Sequence, residues 1–131
     1  MTAFVDADVL VHHLTGEPAE LAARATAFLY GPEQLLLTDL VVAEAVRVLE
    51  AFYEAPRETI ATTMRSLIAF DAVICVDPAL LLRSVELYET ARVGFAEAYL
   101  AACAESTGVG SVVSFDQSLD GVTTVDRIEP P

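Results

Sequence analysis

Four short apolar runs, at residues 3–6, 34–37, 72–76 and 111–115, recur along the chain, with two stretches of helical periodicity between each consecutive pair. This alternation constrains the fold more than any other feature. Strands separated by helices pair in parallel, whereas a hairpin needs strands that follow each other directly. The helical stretches fall at residues 8–14, 18–30, 38–53, 56–70, 77–92 and 95–106. Asp8 is expected to cap the first, Thr38 or Asp39 the third, and Asp77 with Pro78 the fifth. Gly31 and Gly108 are placed to close the second and the last. A weak final strand is expected near residues 122–125. No repeat or linker interrupts the pattern, so residues 1–131 are expected to form one α/β domain with a small parallel sheet and helices on both faces.

With 131 residues the chain can bury one core but not two. Its hydrophobic share of 54% exceeds the usual range of about 45–50%. That excess is read as an Ala/Leu/Val-rich core together with apolar surface that a second subunit or partner covers. A membrane span is not expected: the longest apolar stretches, 35–49 and 93–104, are interrupted by Asp39, Glu44 and Arg47 and by Glu97. No secretion signal is visible at the N-terminus. Cys75 and Cys103 sit among apolar residues without metal-like spacing and read as reduced, buried core thiols, placing the chain in the cytoplasm.

Twenty acids stand against seven bases, for a net charge of −13, and all seven bases are Arg. A protein so acidic does not grip nucleic acid by neutralising phosphate with its own side chains alone; it needs a bound cation or a basic partner. The absence of Lys removes the P-loop lysine, the Schiff base and the lysine general base together.

Most of the acids lie on helix faces where solvent reaches them, but four do not fit that pattern. Asp6 and Asp116 each end an apolar strand, and in open parallel sheets the ligand crevice lies outside the carboxyl ends of the strands. Glu44 has Val41 and Leu40 three and four positions behind it and Val48 four ahead, so it faces or borders an apolar stripe. Glu97 is the only charge from residue 93 to 104. Taken singly, the aspartates could be caps or turn formers and the glutamates could pair with Arg47 or Arg92. Taken together, converging carboxylates repel one another unless a cation lies between them. An all-oxygen ligand set suits Mg2+ or Mn2+, and such a site supports phosphoryl-transfer chemistry.

These residues resemble the motifs of the PIN-domain family. Phe4-Val5-Asp6-Ala7-Asp8-Val9-Leu10 is similar to its opening strand and Thr38-Asp39-Leu40-Val41-Val42-Ala43-Glu44 to its second motif. Phe95-Ala96-Glu97-Ala98-Tyr99-Leu100 is similar to the third, and Val113-Ser114-Phe115-Asp116 to the fourth. The resemblance implies a three-layer α/β/α sandwich and an acidic site that uses Mg2+ or Mn2+ to hydrolyse RNA phosphodiester bonds. Single-domain members of this size are commonly VapC-like toxins, homodimeric and silenced by a cognate antitoxin protein. Carried over, Asp6, Glu97 and Asp116 are the metal ligands, Glu44 acts through water, and Ser114 is a supporting hydrogen-bond donor behind Asp116. The chain differs from the pattern in having Glu97 where Asp is usual, Gly94 where a further acid often stands, and Ala7 where a hydroxyl is usual.

Two other readings remain. Asp6-Ala7-Asp8 after a strand also suits a haloacid-dehalogenase-like phosphatase, but that mechanism wants a lysine-like base and a longer chain. A PIN-like domain without nuclease activity, acting by binding a partner, is the reading from another class. The remaining features are expected to be structural: His12-His13 as surface or packing residues, Asp120 as a turn residue before Gly121, and Tyr53, Tyr88 and Tyr99 in core or interface. An antitoxin tail, basic and apolar in alternation, is the expected protein partner, with an Arg reaching the carboxylates.

Overall fold

The computed structural model describes residues 1–131 in full. In chain order its elements are β1 (Thr2–Phe4), α1 (Ala7–Thr15), α2 (Ala19–Leu29), β2 (Gln34–Leu37), α3 (Asp39–Ala51), α4 (Arg57–Ile68), β3 (Val73–Cys75), α5 (Pro78–Thr90), α6 (Phe95–Thr107), β4 (Ser111–Val113), a 3-10 turn over Gln117–Gly121, and β5 (Asp126–Ile128). Every strand pair is parallel, as the alternating sequence requires, and the fold is α/β. The chain divides into two compact units, Met1–Val76 and Asp77–Pro131.

In the first unit β1, β2 and β3 form a three-stranded sheet in that order, with Ala3 opposite Leu35 and Leu36 opposite Ile74. The strands are short and are anchored by buried Leu35, Leu37 and Val73. α3 buries Val42, Ala45, Val46 and Leu49, a stripe at helical spacing, and α4 buries Ile60, Ala61, Met64, Leu67 and Ile68 in the same way. Each fully buried Leu or Ile here contributes on the order of 2 kcal/mol by leaving water. Thr38 caps α3, its Oγ1 accepting the Val41 amide at 3.2 Å. α1 starts one residue earlier than the sequence suggests, because Asp6, not Asp8, is its cap: Oδ1 accepts the Ala7 amide at 2.7 Å. Gly16 closes α1 with φ +73°, a conformation that costs an L side chain strain.

In the second unit α5 starts as expected, with Asp77 accepting the Leu80 amide at 3.0 Å and Pro78 in the first turn. α6 lays Ala98, Ala101 and Ala102, all fully buried, on its inner side, and Tyr88 of α5 meets Phe95 edge to face at 6.0 Å. Arg83 of α5 ties α6 with a two-pronged pair to Glu105, 2.8 Å on each prong, and the Thr124 hydroxyl donates to the same carboxylate. β4 pairs with β5, Val112 opposite Arg127. The last strand therefore lies at Asp126–Ile128 and not near residues 122–125. Val122 and Val125 are buried, but they reach inward from the loop after the 3-10 turn, so apolar character there marks core contact without strand pairing.

No helix is long and apolar enough to cross a membrane. Cys75 and Cys103 are free but only half-buried, not the buried core thiols expected. Burial pushes the Cys75 thiol up, with Asp39 adding in the same direction.

Candidate acidic site

The first unit holds two of the four singled-out acids in one cleft. β1 ends at Phe4, and two residues later Asp6 stands at the carboxyl edge of the sheet as the cap of α1. The cap geometry fixes the backbone of Asp6 and occupies Oδ1, leaving Oδ2 toward solvent. Asp8, in the first turn of α1, is also exposed. Together with Glu44, these residues line a cleft of about 400 Å³ whose other walls are Val11, His12, Val48, Phe52 and Tyr53. The cleft thus sets three exposed carboxylates beside apolar and aromatic neighbours.

Glu44 is exposed on α3, bordering and not facing the apolar stripe. Arg47, one of the partners its sequence position allows, holds both of its oxygens, at 2.6 Å to Oε1 and 3.1 Å to Oε2. The hydrogen bond from Arg47 holds its carboxyl below the usual range, against a smaller upward push from desolvation. An exposed pair one helical turn apart is easily broken, so Glu44 is restrained but not locked.

The second unit carries the other two acids on different elements. Glu97 lies in the first turn of α6, half-buried, and its carboxylate folds back over Gly94, where a β-carbon would collide with Oε2. Asp116 is exposed at the turn after β4. Its Oδ1 accepts the Ser118 amide at 2.9 Å, and hydrogen bonding to Ser118, followed by the nearby charge of Arg127, holds its carboxyl below the usual range. Ser114 does not donate to a carboxylate: its Oγ accepts the Asp116 amide at 2.9 Å and shapes the turn. Asp120 is more than a turn residue, since Arg127 pairs with both of its oxygens at 2.9 and 3.3 Å.

No three Asp, Glu, His or Cys side chains gather closely enough to ligate one ion. Of the four acids singled out, Asp6 and Glu44 share the cleft of the first unit, and Glu97 and Asp116 lie on separate elements of the second. The donor chemistry nevertheless fits a hard divalent cation, because Asp6, Asp8 and Asp116 are exposed carboxylates, each with an oxygen that no backbone amide occupies.

His12 and His13 are packing residues, as expected, bonded through Nδ1 to the Glu17 carbonyl and the Thr26 hydroxyl, each at 2.7 Å, although His12 also borders the acidic cleft. Sequence reasoning missed Arg127 altogether. Its only signal was a lone base in a polar stretch with Asp120 and Glu129 nearby.

Compared with known protein families, residues 3–124 match the PIN domain, a span that covers all four acids. No curated protein matches the chain at a significant level.

Proposed function

The chain belongs to the PIN-domain family, and on that premise we propose that it is a metal-dependent endoribonuclease, the toxin component of a toxin–antitoxin pair. PIN domains are generally metal-dependent nucleases, and the observation that carries the reading for this chain is the placement of Asp6. It stands exposed beyond a parallel strand, in a cleft with Asp8 and Glu44, where an α/β sheet presents its ligands. The proposal takes residues 1–131 as one catalytic domain.

In this reading Asp6, Glu97 and Asp116 hold Mg2+ or Mn2+, and the bound cation supplies Lewis-acid stabilisation of the phosphoryl centre. Glu97 must leave Gly94 to take part. Glu44, once released from Arg47, orients the attacking water and accepts its proton. Ser114 supports Asp116 through the backbone. The net charge of −13 and exposed apolar side chains such as Phe28 and Phe52 suit a cytoplasmic homodimer whose cognate antitoxin is basic and apolar.

The failure of three carboxylates to gather favours a second reading, a PIN-like interaction domain without catalysis. Incubation with total RNA in Mg2+, in Mn2+ and in chelator, beside Asp6→Asn, decides between them. Metal-dependent cleavage lost in the variant supports the nuclease. Absence of both cleavage and Mn2+ binding leaves the interaction domain.

A further inference from the structure

We propose that Arg127 is a positioning residue for Asp116, acting through the Ser114 carbonyl and not on RNA phosphate; the inference rests on the nuclease reading for its functional meaning. In an acidic protein whose only bases are Arg, an arginine near a candidate RNA site invites assignment as a phosphate grip. The geometry of Arg127 argues against that use. Its side chain is 12% exposed, against 60% and 51% for its partners Asp120 and Glu129. Nε and Nη2 bond the two oxygens of Asp120, and Nη1 bonds Glu129 Oε1 at 2.9 Å and the Ser114 carbonyl at 3.0 Å. Four contacts occupy a guanidinium that has five N–H groups, leaving a single Nη2 N–H on a side chain that is mostly buried.

What Arg127 does hold is the end of β4. The Ser114 amide donates to the Ile128 carbonyl at 3.0 Å while its carbonyl accepts from Arg127, so both backbone groups of residue 114 are pinned to β5. The Ser114 hydroxyl then accepts the Asp116 amide, and Asp116 Oδ1 accepts the Ser118 amide. Each bond holds the residue that supplies the acceptor of the next, and the series ends at the exposed Asp116. A lysine cannot replace the fork: an ammonium is a point charge and cannot span two carboxylates and a carbonyl in one plane. Groups that orient a metal ligand from behind typically alter metal affinity by about 10–100-fold when removed.

The test uses Arg127→Lys, Arg127→Gln and Ser114→Ala in the full chain, with three readouts. Amide hydrogen exchange at Asp116 and Ser118 reports the turn without any metal, calorimetry reports Mn2+ affinity, and the salt dependence of RNA binding reports phosphate contacts. For Arg127→Lys the expected result is faster exchange at both amides and Mn2+ affinity lower by about tenfold, and for the uncharged Arg127→Gln an unaltered salt slope. Ser114→Ala, which leaves β5 untouched, is expected to speed exchange at Asp116 and to weaken Mn2+ in the same direction; it serves if Arg127→Lys does not fold. Unchanged exchange at Asp116 in Arg127→Lys and Ser114→Ala overturns the proposal, and so does a salt slope reduced by about one in the uncharged Arg127→Gln, which would make Arg127 a phosphate ligand. If the wild-type chain binds no Mn2+, the metal reading fails, and the exchange data still decide the role of Arg127.

Discussion

The carboxylate of Glu97 fills the space that a side chain on Gly94 would need. Gly94 is the cap residue of α6 and Glu97 the third residue of its first turn, a spacing at which a glutamate characteristically reaches back over the helix start. The partial positive charge of the exposed first-turn amides favours an acid there. Two departures from the family pattern, a missing side chain at 94 and an extra methylene at 97, are in this way one local arrangement.

Gly94→Ala separates the two. Residue 94 has φ −60° and ψ 157°, open to any residue, and the atom in the way is the end of a flexible side chain. Stability is expected to hold or to rise by about 0.5 kcal/mol, because Ala has fewer unfolded conformations to lose. Glu97 is driven outward, so Mn2+ affinity by calorimetry is expected to rise. Weaker binding would show that the folded-back position is the ligating one.

Asp6 has two roles that substitutions can split. Asn caps a helix about as well as Asp, so Asp6→Asn should retain wild-type stability while abolishing metal-dependent RNA cleavage. Asp6→Ala should lose cleavage and also about 1 kcal/mol in urea unfolding, the cap contribution. Equal stability of the two variants would remove the cap from the account.

Acid should loosen the second unit through Glu105. The hydrogen bond from Arg83 holds its carboxyl below the usual range; burial opposes that shift and the Thr124 hydroxyl adds to it. A depressed folded pKa gives stability that is complete above the unfolded value, about 4.3, and is lost as pH falls through the folded value. Wild type should therefore melt higher than Glu105→Gln at pH 7, with the gap closing as pH falls below about 4.3. A gap that stays constant with pH would mean that the carboxylate charge contributes nothing.

The alanine side of α6 sets how closely α5 can approach. Ala101→Leu is expected to cost about 1–3 kcal/mol by overpacking, whereas Ala96→Leu, on the exposed side of the same helix, should be close to neutral. Denaturant midpoints of the two variants measure the difference directly.

The parts of the fold legible in the sequence are those that apolar spacing and caps specify. β2 at Gln34–Leu37, the Thr38 and Asp77 caps and the Gly108 stop lie where these signals put them. β5 was not legible, because Asp126 and Ile128 point to solvent and the inward position between them is an ion-paired Arg. A strand that buries a charge network carries no hydrophobic signature, and the neighbouring buried valines drew the assignment toward themselves. Placement of Asp6 and Asp116 at strand ends was readable from pattern alone. The orientations of Glu44 and Glu97 were not, since a helical period gives the face of a residue to within a turn but says nothing of whether its carboxylate prefers a neighbouring Arg or the helix start.

Parallel pairing of β4 with β5 also imposes an order in time. A ribosome releases Asp116 before it releases Arg127, and until that later segment emerges Ser114 has neither the Ile128 carbonyl nor the guanidinium to hold it. The turn bearing Asp116 is consequently completed only after the β5 segment has emerged, so its order depends on a strand made later than the acid it positions.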